Sequence, residues 1–125
     1  MKIEEICKIL HAEWLVNVRR RPECKDIDIL SCQASDLMSD VLTVSAEKSL
    51  LLTGLTNAQV IRVAEVSDIV AVCFVRGKKP QKEVIQLAEE RIVPLLMTPL
   101  SMYESCSCLS AKGMPASGSQ AKEPM

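Results

Sequence analysis

The sequence has very few aromatic residues. Trp14, Phe74 and Tyr103 are the only ones in 125 residues, although 48% of the chain is apolar. The core must therefore be built from aliphatic side chains, and base stacking on a nucleic acid lacks the residues that usually provide it. The formal net charge of −1 supplies no overall attraction to nucleic acid or to an anionic membrane. We expect neither of them as a partner.

Long apolar runs are also missing. No stretch approaches the ~20 apolar residues that span a bilayer. The N-terminus, Met1–Glu5, is acidic and amphipathic, so it lacks the basic region and apolar stretch of a signal peptide. We therefore expect a cytoplasmic protein whose six cysteines are thiols, because the cytosol keeps them reduced.

Catalytic and metal-binding motifs are absent. The sequence has no CxxC pair, no GxxxxGK[ST] phosphate loop, no GxGxxG after a strand and no GxSxG. The only histidine, His11, follows a helical stretch, so a catalytic triad is difficult to assemble. Cys106 and Cys108 lie two apart in a predicted helix, where their side chains point to different sides. We expect no metal, no cofactor and no enzymatic activity.

Three apolar segments predict buried strands over Leu50–Leu52, Ile69–Val75 and Ile92–Met97. Amphipathic stretches over Ala58–Val66 and Gln81–Arg91 separate them and predict helices. Strands that are apolar on both sides and alternate with helices are typical of a parallel sheet covered on both faces. The predicted fold class is therefore α/β, as a single domain with a mainly parallel sheet and helices on both faces.

Shorter patterns predict the remaining elements. These are a helix over Ile3–Leu10, a strand over Trp14–Val16, a loop over residues 17–26, a strand over Asp28–Cys32, a helix that begins at Ser35 or Asp36, and a helix over Leu100–Ala111. The domain is expected to cover residues 1–112. Residues 113–125 are rich in Gly, Pro, Ser, Ala and Lys without apolar periodicity, which predicts a disordered C-terminal tail after the helix stop at Gly113.

Open parallel sheets bind ligands outside the carboxyl ends of their strands, and this rule selects three loops. The first loop, which begins at Thr53 after Leu50–Leu52, could hold an anion at a helix start, or could only cap the helix. The second, which begins at Arg76 after Ile69–Val75, has three cations and a glycine and suits an anion, but it could equally be a solvated turn. The third begins at Thr98 after Ile92–Met97, and its hydroxyls could line a pocket or cap a helix. The candidate ligand-binding residues are Thr53, Gly54, Thr56, Asn57, Arg76, Gly77, Lys78, Lys79, Thr98 and Ser101.

The order of four segments resembles stand-alone DRTGG-domain proteins of anaerobic bacteria. The segments are Ala34–Leu42, Leu51–Arg62, Phe74–Pro80 and Pro94–Glu104, and the match covers nearly all of residues 1–112. The family is similar to the N-terminal domain of HPr kinase/phosphorylase, and related domains occur in some phosphate acetyltransferases and pyrophosphatases. Where many members carry Thr-Gly-Asp-Arg-Thr, this chain has Thr-Gly-Leu-Thr-Asn at 53–57.

The resemblance implies an α/β fold, self-association and a regulatory or scaffolding role, in a setting of anaerobic redox or hydrogenase metabolism. The leading hypothesis is a non-catalytic regulatory module that senses a small anionic ligand. The alternative is a structural interaction domain that docks on a partner enzyme of redox metabolism. A third, weaker hypothesis is a small enzyme that uses Lys78 or Lys79 on an anionic substrate.

Self-association is expected from apolar residues in excess of what one thin core needs. A homodimer is the first expectation because closed two-fold dimers are the commonest homo-oligomers. The candidate interface residues are Met97, Leu100, Met102, Leu37 and Met38.

Overall fold

The computed structural model describes residues 1–16, 22–44 and 47–118. These residues form one five-stranded sheet, five α-helices and a 3₁₀ helix over Pro22–Asp26. In chain order the α-helices and strands are α1 (Ile3–Leu10), β1 (Glu13–Trp14), β2 (Ser31–Ala34), α2 (Met38–Thr43), β3 (Ser49–Thr53), α3 (Ala58–Val66), β4 (Ile69–Phe74), α4 (Lys82–Arg91), β5 (Leu95–Met97) and α5 (Met102–Ala111).

The strands lie in the order β1-β5-β4-β3-β2. Strands β2, β3, β4 and β5 are parallel to one another, and β1 pairs antiparallel with β5 at one edge. The register aligns Gln33 with Leu51, Leu51 with Val72, and Val72 with Leu95. The carboxyl ends of four strands therefore meet at one end of the sheet, and the predicted fold class is confirmed.

Apolar cores cover both faces of the sheet. Leu51, Val72 and Leu95 point to the face packed by α2, α3 and α4, whereas Leu50 and Leu52 point to the face packed by α1 and α5. All five residues of β3 are buried for this reason. A strand between two helix layers is buried on both sides, which explains the uninterrupted leucine run between Ser49 and Thr53.

The strand predicted over Asp28–Cys32 lies three residues later in the structure. Asp28 forms an antiparallel bridge with Lys2, and the N–H of Ile29 donates to the carbonyl of Met1. The first part of the predicted strand therefore pairs with the N-terminal residues, and only residues from Ser31 onward join the sheet.

The start of α2 was also predicted too early. The Ser35 hydroxyl accepts a hydrogen bond from the N–H of Leu37, which forms a short turn before the helix. The Asp36 carboxylate bonds the backbone of another loop, and α2 begins at Met38 without a side-chain cap. Met38 itself is core, at 3% exposed, so its predicted place on an exposed patch is wrong.

Other boundaries also differ from the predicted ones. Ile92 ends α4 in a left-handed conformation with φ 58°, so β5 begins only at Leu95. Strand β1 is Glu13–Trp14, one residue earlier than predicted, and α5 begins at Met102 behind its cap Ser101. Residues 22–26 of the predicted loop form the 3₁₀ helix, and residues 17–21 lie outside the described part.

Residues Met114–Ser117, which we call the C-terminal strap, pack on the outer edge of β2. Ala116 forms a parallel bridge with Cys32, whose N–H donates to the Pro115 carbonyl at 3.0 Å. The N–H of Ser117 donates to the Cys32 carbonyl at 2.9 Å.

The strap differs from the disordered tail expected to begin at residue 113. Its anchor is Met114, which is 8% exposed and packs with the core between the sheet and α5. One buried side chain and an open strand edge hold residues that have no apolar periodicity. Residues 119–125 of the predicted tail lie outside the described residues.

Candidate functional site

The three predicted loops meet at the carboxyl end of the sheet. Backbone hydrogen bonds join the loops after β4 and β5 to each other. The Arg76 N–H donates to the Leu100 carbonyl and the Gly77 N–H donates to the Thr98 carbonyl, both at 2.8 Å. These two loops therefore form one connected surface beside the loop that follows β3.

Asp36 links the loop after β3 to the end of β2. Its Oδ1 accepts a hydrogen bond from the Gly54 N–H at 2.6 Å and another from the Thr53 hydroxyl at 3.1 Å. The Thr53 hydroxyl accepts in turn from the N–H of Leu55. The sequence predicts Asp36 at the start of a helix and not as a link between two loops. Its position shortly after a predicted strand is the one sequence feature that agrees with its observed role.

The Lys78 side chain crosses from the loop after β4 to Gly54. A methyl group added to the Gly54 Cα would lie 3.5 Å from Lys78 Nζ and 3.4 Å from Asp36 Oδ1. The Lys78 ammonium and the Asp36 carboxylate therefore both lie within van der Waals distance of the space that a side chain at position 54 would occupy. The structure thus brings together two of the predicted site residues, Gly54 and Lys78.

The turn after β4 keeps its cations exposed. Arg76 and Gly77 both have left-handed backbone conformations, with φ of 61° and 68°. This region is disfavoured for an arginine, and the two hydrogen bonds to the loop after β5 hold it there. Arg76, Lys78 and Lys79 are all exposed, so three cations face solvent next to the end of β4.

Arg76 also lies in the electrostatic environment of α5. Hydrogen bonds from the backbone and side chain of Ser101 lower the pKa of Glu104, and the charge of Arg76 contributes in the same direction. Ser101 and Glu104 form a reciprocal capping box at 2.9 and 3.1 Å. Ser101 is therefore a helix cap in the structure.

The remaining predicted residues have different surroundings. Thr98 is fully buried; its hydroxyl donates to the Leu10 carbonyl and accepts from the Leu100 N–H. Asn57 caps α3 by accepting from the Gln59 N–H at 3.0 Å. Thr56 is half-buried at the loop surface. Ligand contact by these residues stays a prediction.

Burial raises the pKa values of the thiols of Cys7, Cys32 and Cys73 and so favours their protonated forms. Burial raises the pKa of Cys7 to about 11, with a further contribution from the charge of Glu4. Burial raises the pKa of Cys32 to about 12, with Cys106 adding to the shift, and it raises the pKa of the more deeply buried Cys73 as well. High thiol pKa values oppose nucleophilic and metal-binding chemistry. No cluster of three or more His, Cys, Asp or Glu side chains suited to a metal occurs within residues 1–16, 22–44 and 47–118.

Two cavities lie outside the three loops. One, of about 470 Å³, is at the outer edge of β2 beneath the strap and is lined in part by Cys32 and Cys106. Another, of about 440 Å³, is at the amino end of the sheet beside the ion pair of Glu65 and Arg91. Within the described segments, no helix has the length and apolarity required to cross a membrane.

The sheet order, the two helix layers and the loops at the strand ends define an α/β domain with a CBS/DRTGG-like fold. The chain is similar to a solved structure of the CBS and DRTGG domains of the regulatory region of Clostridium perfringens pyrophosphatase, complexed with the activator diadenosine tetraphosphate. The TM-score is 0.66 at 18% identity, over 86% of this chain and 45% of that one.

The chain thus spans less than half the length of that structure. At this level of identity the likeness establishes the fold. No family model matches the sequence, and no curated protein matches it. The similarity to the N-terminal domain of HPr kinase/phosphorylase stays a prediction from the sequence.

Proposed function

We propose that the chain is a non-catalytic regulatory module that binds a small anionic ligand at the carboxyl ends of β3 and β4. The observation that carries the proposal is the Lys78 ammonium over the bare backbone of Gly54. The solved regulatory region with the same fold binds a nucleotide with four phosphates, which is an anion of the proposed kind.

The local charge favours an anion. Lys78 and Lys79 are exposed beside the loop that leads into α3, whose N-terminus carries a partial positive charge. Asp36 is the opposing charge, and one of its oxygens already accepts hydrogen bonds from Gly54 and Thr53. A phosphate could pair with Lys78 and lie close to the backbone of Gly54. A side chain at position 54 would block that close approach, and glycine has none.

The first prediction tests this site by thermal unfolding in the presence of inorganic phosphate, ATP and diadenosine tetraphosphate. A ligand at about 100 times its Kd stabilises the folded chain by about 2.7 kcal/mol, so the midpoint should rise. We expect Lys78→Ala to weaken the effective ligand at least about ten-fold, which is about 1.4 kcal/mol.

Lys82→Ala is the matched control, because Lys82 is an exposed lysine of α4 outside the loops. The ligand should stabilise this variant as much as it stabilises the unmodified chain. Equal weakening in the two variants, or no stabilisation by any of the three compounds, would contradict the proposal.

A second candidate function is a structural interaction domain that associates with itself or with a partner enzyme. It is supported by Leu37 at the N-cap of α2 and Leu42 within α2, which are 56% and 54% exposed. Met97, Leu100 and Met102, the other predicted interface residues, are half-buried at the end of the sheet. A homodimer, a partner from anaerobic redox metabolism and a cytoplasmic location stay predictions.

A further inference from the structure

The outer edge of β2 is only partly paired. The N–H of Ser35 donates to the Leu52 carbonyl of β3. Successive residues of a strand direct their backbone N–H and C=O groups to opposite sides, so those of Cys32 and Ala34 point away from β3. The strap pairs with Cys32 through two hydrogen bonds and leaves the edge at Gly118, where φ is 63°. Within the described segments, nothing pairs with the outward backbone of Ala34.

The space beside this edge is larger than the strap fills. A cavity of about 470 Å³ extends between the strap, β2, α2 and α5. Its walls include Ala34 at the open edge, Leu109 on α5, and Asp40 and Val44 at α2. This volume falls within the range of cavities that hold ligands.

We propose that the β2 edge is a strand-addition site for an extended segment of a partner protein, and that the strap occupies part of this site in cis. The partner segment would run parallel to β2, as the strap does, and would continue the ladder from Cys32 to Ala34. Extended peptides that add to a sheet edge gain affinity from backbone hydrogen bonds and specificity from alternate side chains.

The strap indicates what the partner segment must contain. Met114 supplies a buried apolar anchor, and Pro115 shows that the next position needs a carbonyl but no N–H. Ala116 is small where the chains bridge, and the hydroxyls of Ser117 and Ser31 lie 2.7 Å apart. In chain order, the partner segment is thus expected to contain an apolar residue, any residue, a small residue, and a serine or threonine.

The charge of the cavity adds one further requirement. Among the described residues that line it, Asp40 is the only charged one. A residue of the partner that continues past the strap toward α2 would meet this carboxylate, so a lysine or arginine is favoured after the hydroxyl residue. The proposed partner is therefore an extended segment with a small, polar and then basic sequence.

The test uses the full chain with a weakened strap. Met114→Ser removes the anchor, and Ser117→Pro removes the N–H that bonds the Cys32 carbonyl. The probe is a fluorescent peptide with the sequence of residues 113–118 followed by Val-Lys-Val, and a second peptide carries Glu in place of that Lys. Fluorescence anisotropy should show at least ten-fold tighter binding of the Lys peptide to the double variant than to the unmodified chain, in which the strap competes.

Asp40→Asn, added to the weakened strap, should abolish a preference of at least three-fold for the Lys peptide over the Glu peptide. Glu90→Gln, an exposed carboxylate on α4, is the matched control and should retain the preference. If the double variant fails to fold, an amide NMR titration of the unmodified chain with the Lys peptide should shift the signals of Cys32, Ala34 and the strap.

Three results would overturn the proposal. The first is no saturable binding by either measurement, and the second is binding that leaves the amides of Cys32 and Ala34 unchanged. The third is self-association of the double variant, without any peptide, beyond that of the unmodified chain, which would assign the edge to a second copy of the chain.

Discussion

At the residue scale, Asp36 has the most consequential contacts of the candidate site. Its carboxylate holds the Gly54 N–H and the Thr53 hydroxyl across 18 and 17 positions of sequence. It thereby fixes the loop after β3 in the position where Lys78 reaches it. Periodic sequence patterns reveal only contacts between neighbours within one helix or strand. The contacts of Asp36 with the loop after β3 could therefore not be predicted from the sequence.

The second prediction follows from these contacts. We expect Asp36→Ala to lower the free energy of unfolding by about 1–2 kcal/mol, because it leaves two donors without their acceptor. Asp36→Asn retains an oxygen acceptor and should cost less. Urea unfolding of both variants measures the difference; equal losses would mean that the charge, and not the acceptor, is what the loop requires.

The third prediction concerns the thiols. Because burial raises the pKa values of Cys7, Cys32 and Cys73, we expect these residues to react slowly with a thiol-disulfide reagent at about pH 8, where little thiolate forms. Mass spectrometry of the folded chain over time gives the rates for each residue. In guanidinium, all six cysteines should react quickly; fast labelling of Cys73 in the folded chain would contradict its burial.

At the element scale, the regular structure was predicted best where both faces of a strand are covered. Helix α3 begins and ends where its apolar period predicted, and β3 and β4 lie within a residue of their apolar runs. Burial explains this agreement, because it requires apolar residues along one face of α3 and through the middle of β3 and β4. β2 is an edge strand with half-buried residues, so its pattern was weak and its predicted position was displaced.

The candidate site was predictable only in part. The rule for parallel sheets located the three loops correctly at one end of the sheet. It could not show that Thr98 faces inward to Leu10, since that contact depends on where α1 packs. Nor could it show that Lys78 folds back over Gly54, which depends on the conformation of the turn at Arg76.

The fourth prediction concerns the capping box of α5. The pKa of Glu104 is lowered in the folded chain, so its stabilising effect is present above its ordinary value of 4.5 and is lost as the pH falls through the folded value. Glu104→Gln keeps the capping acceptor without the titration. Its melting temperature should therefore fall less than that of the unmodified chain between about pH 5 and about pH 3.

Melting curves at several pH values measure this difference. Glu90→Gln, at an exposed position of α4, is the control and should follow the unmodified chain. Identical pH profiles for Glu104→Gln and the unmodified chain would show that the charge on Glu104 does not stabilise α5.

At the scale of the whole molecule, one sheet separates two cores and places different features at its ends and edges. The proposed anion site lies at the carboxyl end, a cavity beside the Glu65–Arg91 ion pair lies at the amino end, and the strap covers part of the β2 edge. The exposed leucines of α2 stand beside that edge. The proposed ligand site and the proposed association surface are therefore separate, and both adjoin the end of β2.

The fifth prediction is that the intact chain forms a dimer through α2. Sedimentation equilibrium at tens of micromolar should give twice the chain mass of 13.8 kDa. Leu37→Asp with Leu42→Asp should produce the monomer, because charges in a desolvated apolar contact are unfavourable. Val66→Asp, at a residue that is 75% exposed on α3, is the control. A single species of 13.8 kDa for the unmodified chain would contradict the prediction.

The short edges of the sheet also bear on aggregation. A long, bare and apolar edge strand is a template on which further chains stack into fibrils. Here β1 is only two residues long, and the strap closes the Cys32 position of β2. The leucine-rich β3 lies immediately behind that edge. We therefore expect the hydrogen bonds of the strap to oppose aggregation, and we expect a chain cleaved by a protease before Met114 to expose the edge to neighbouring chains.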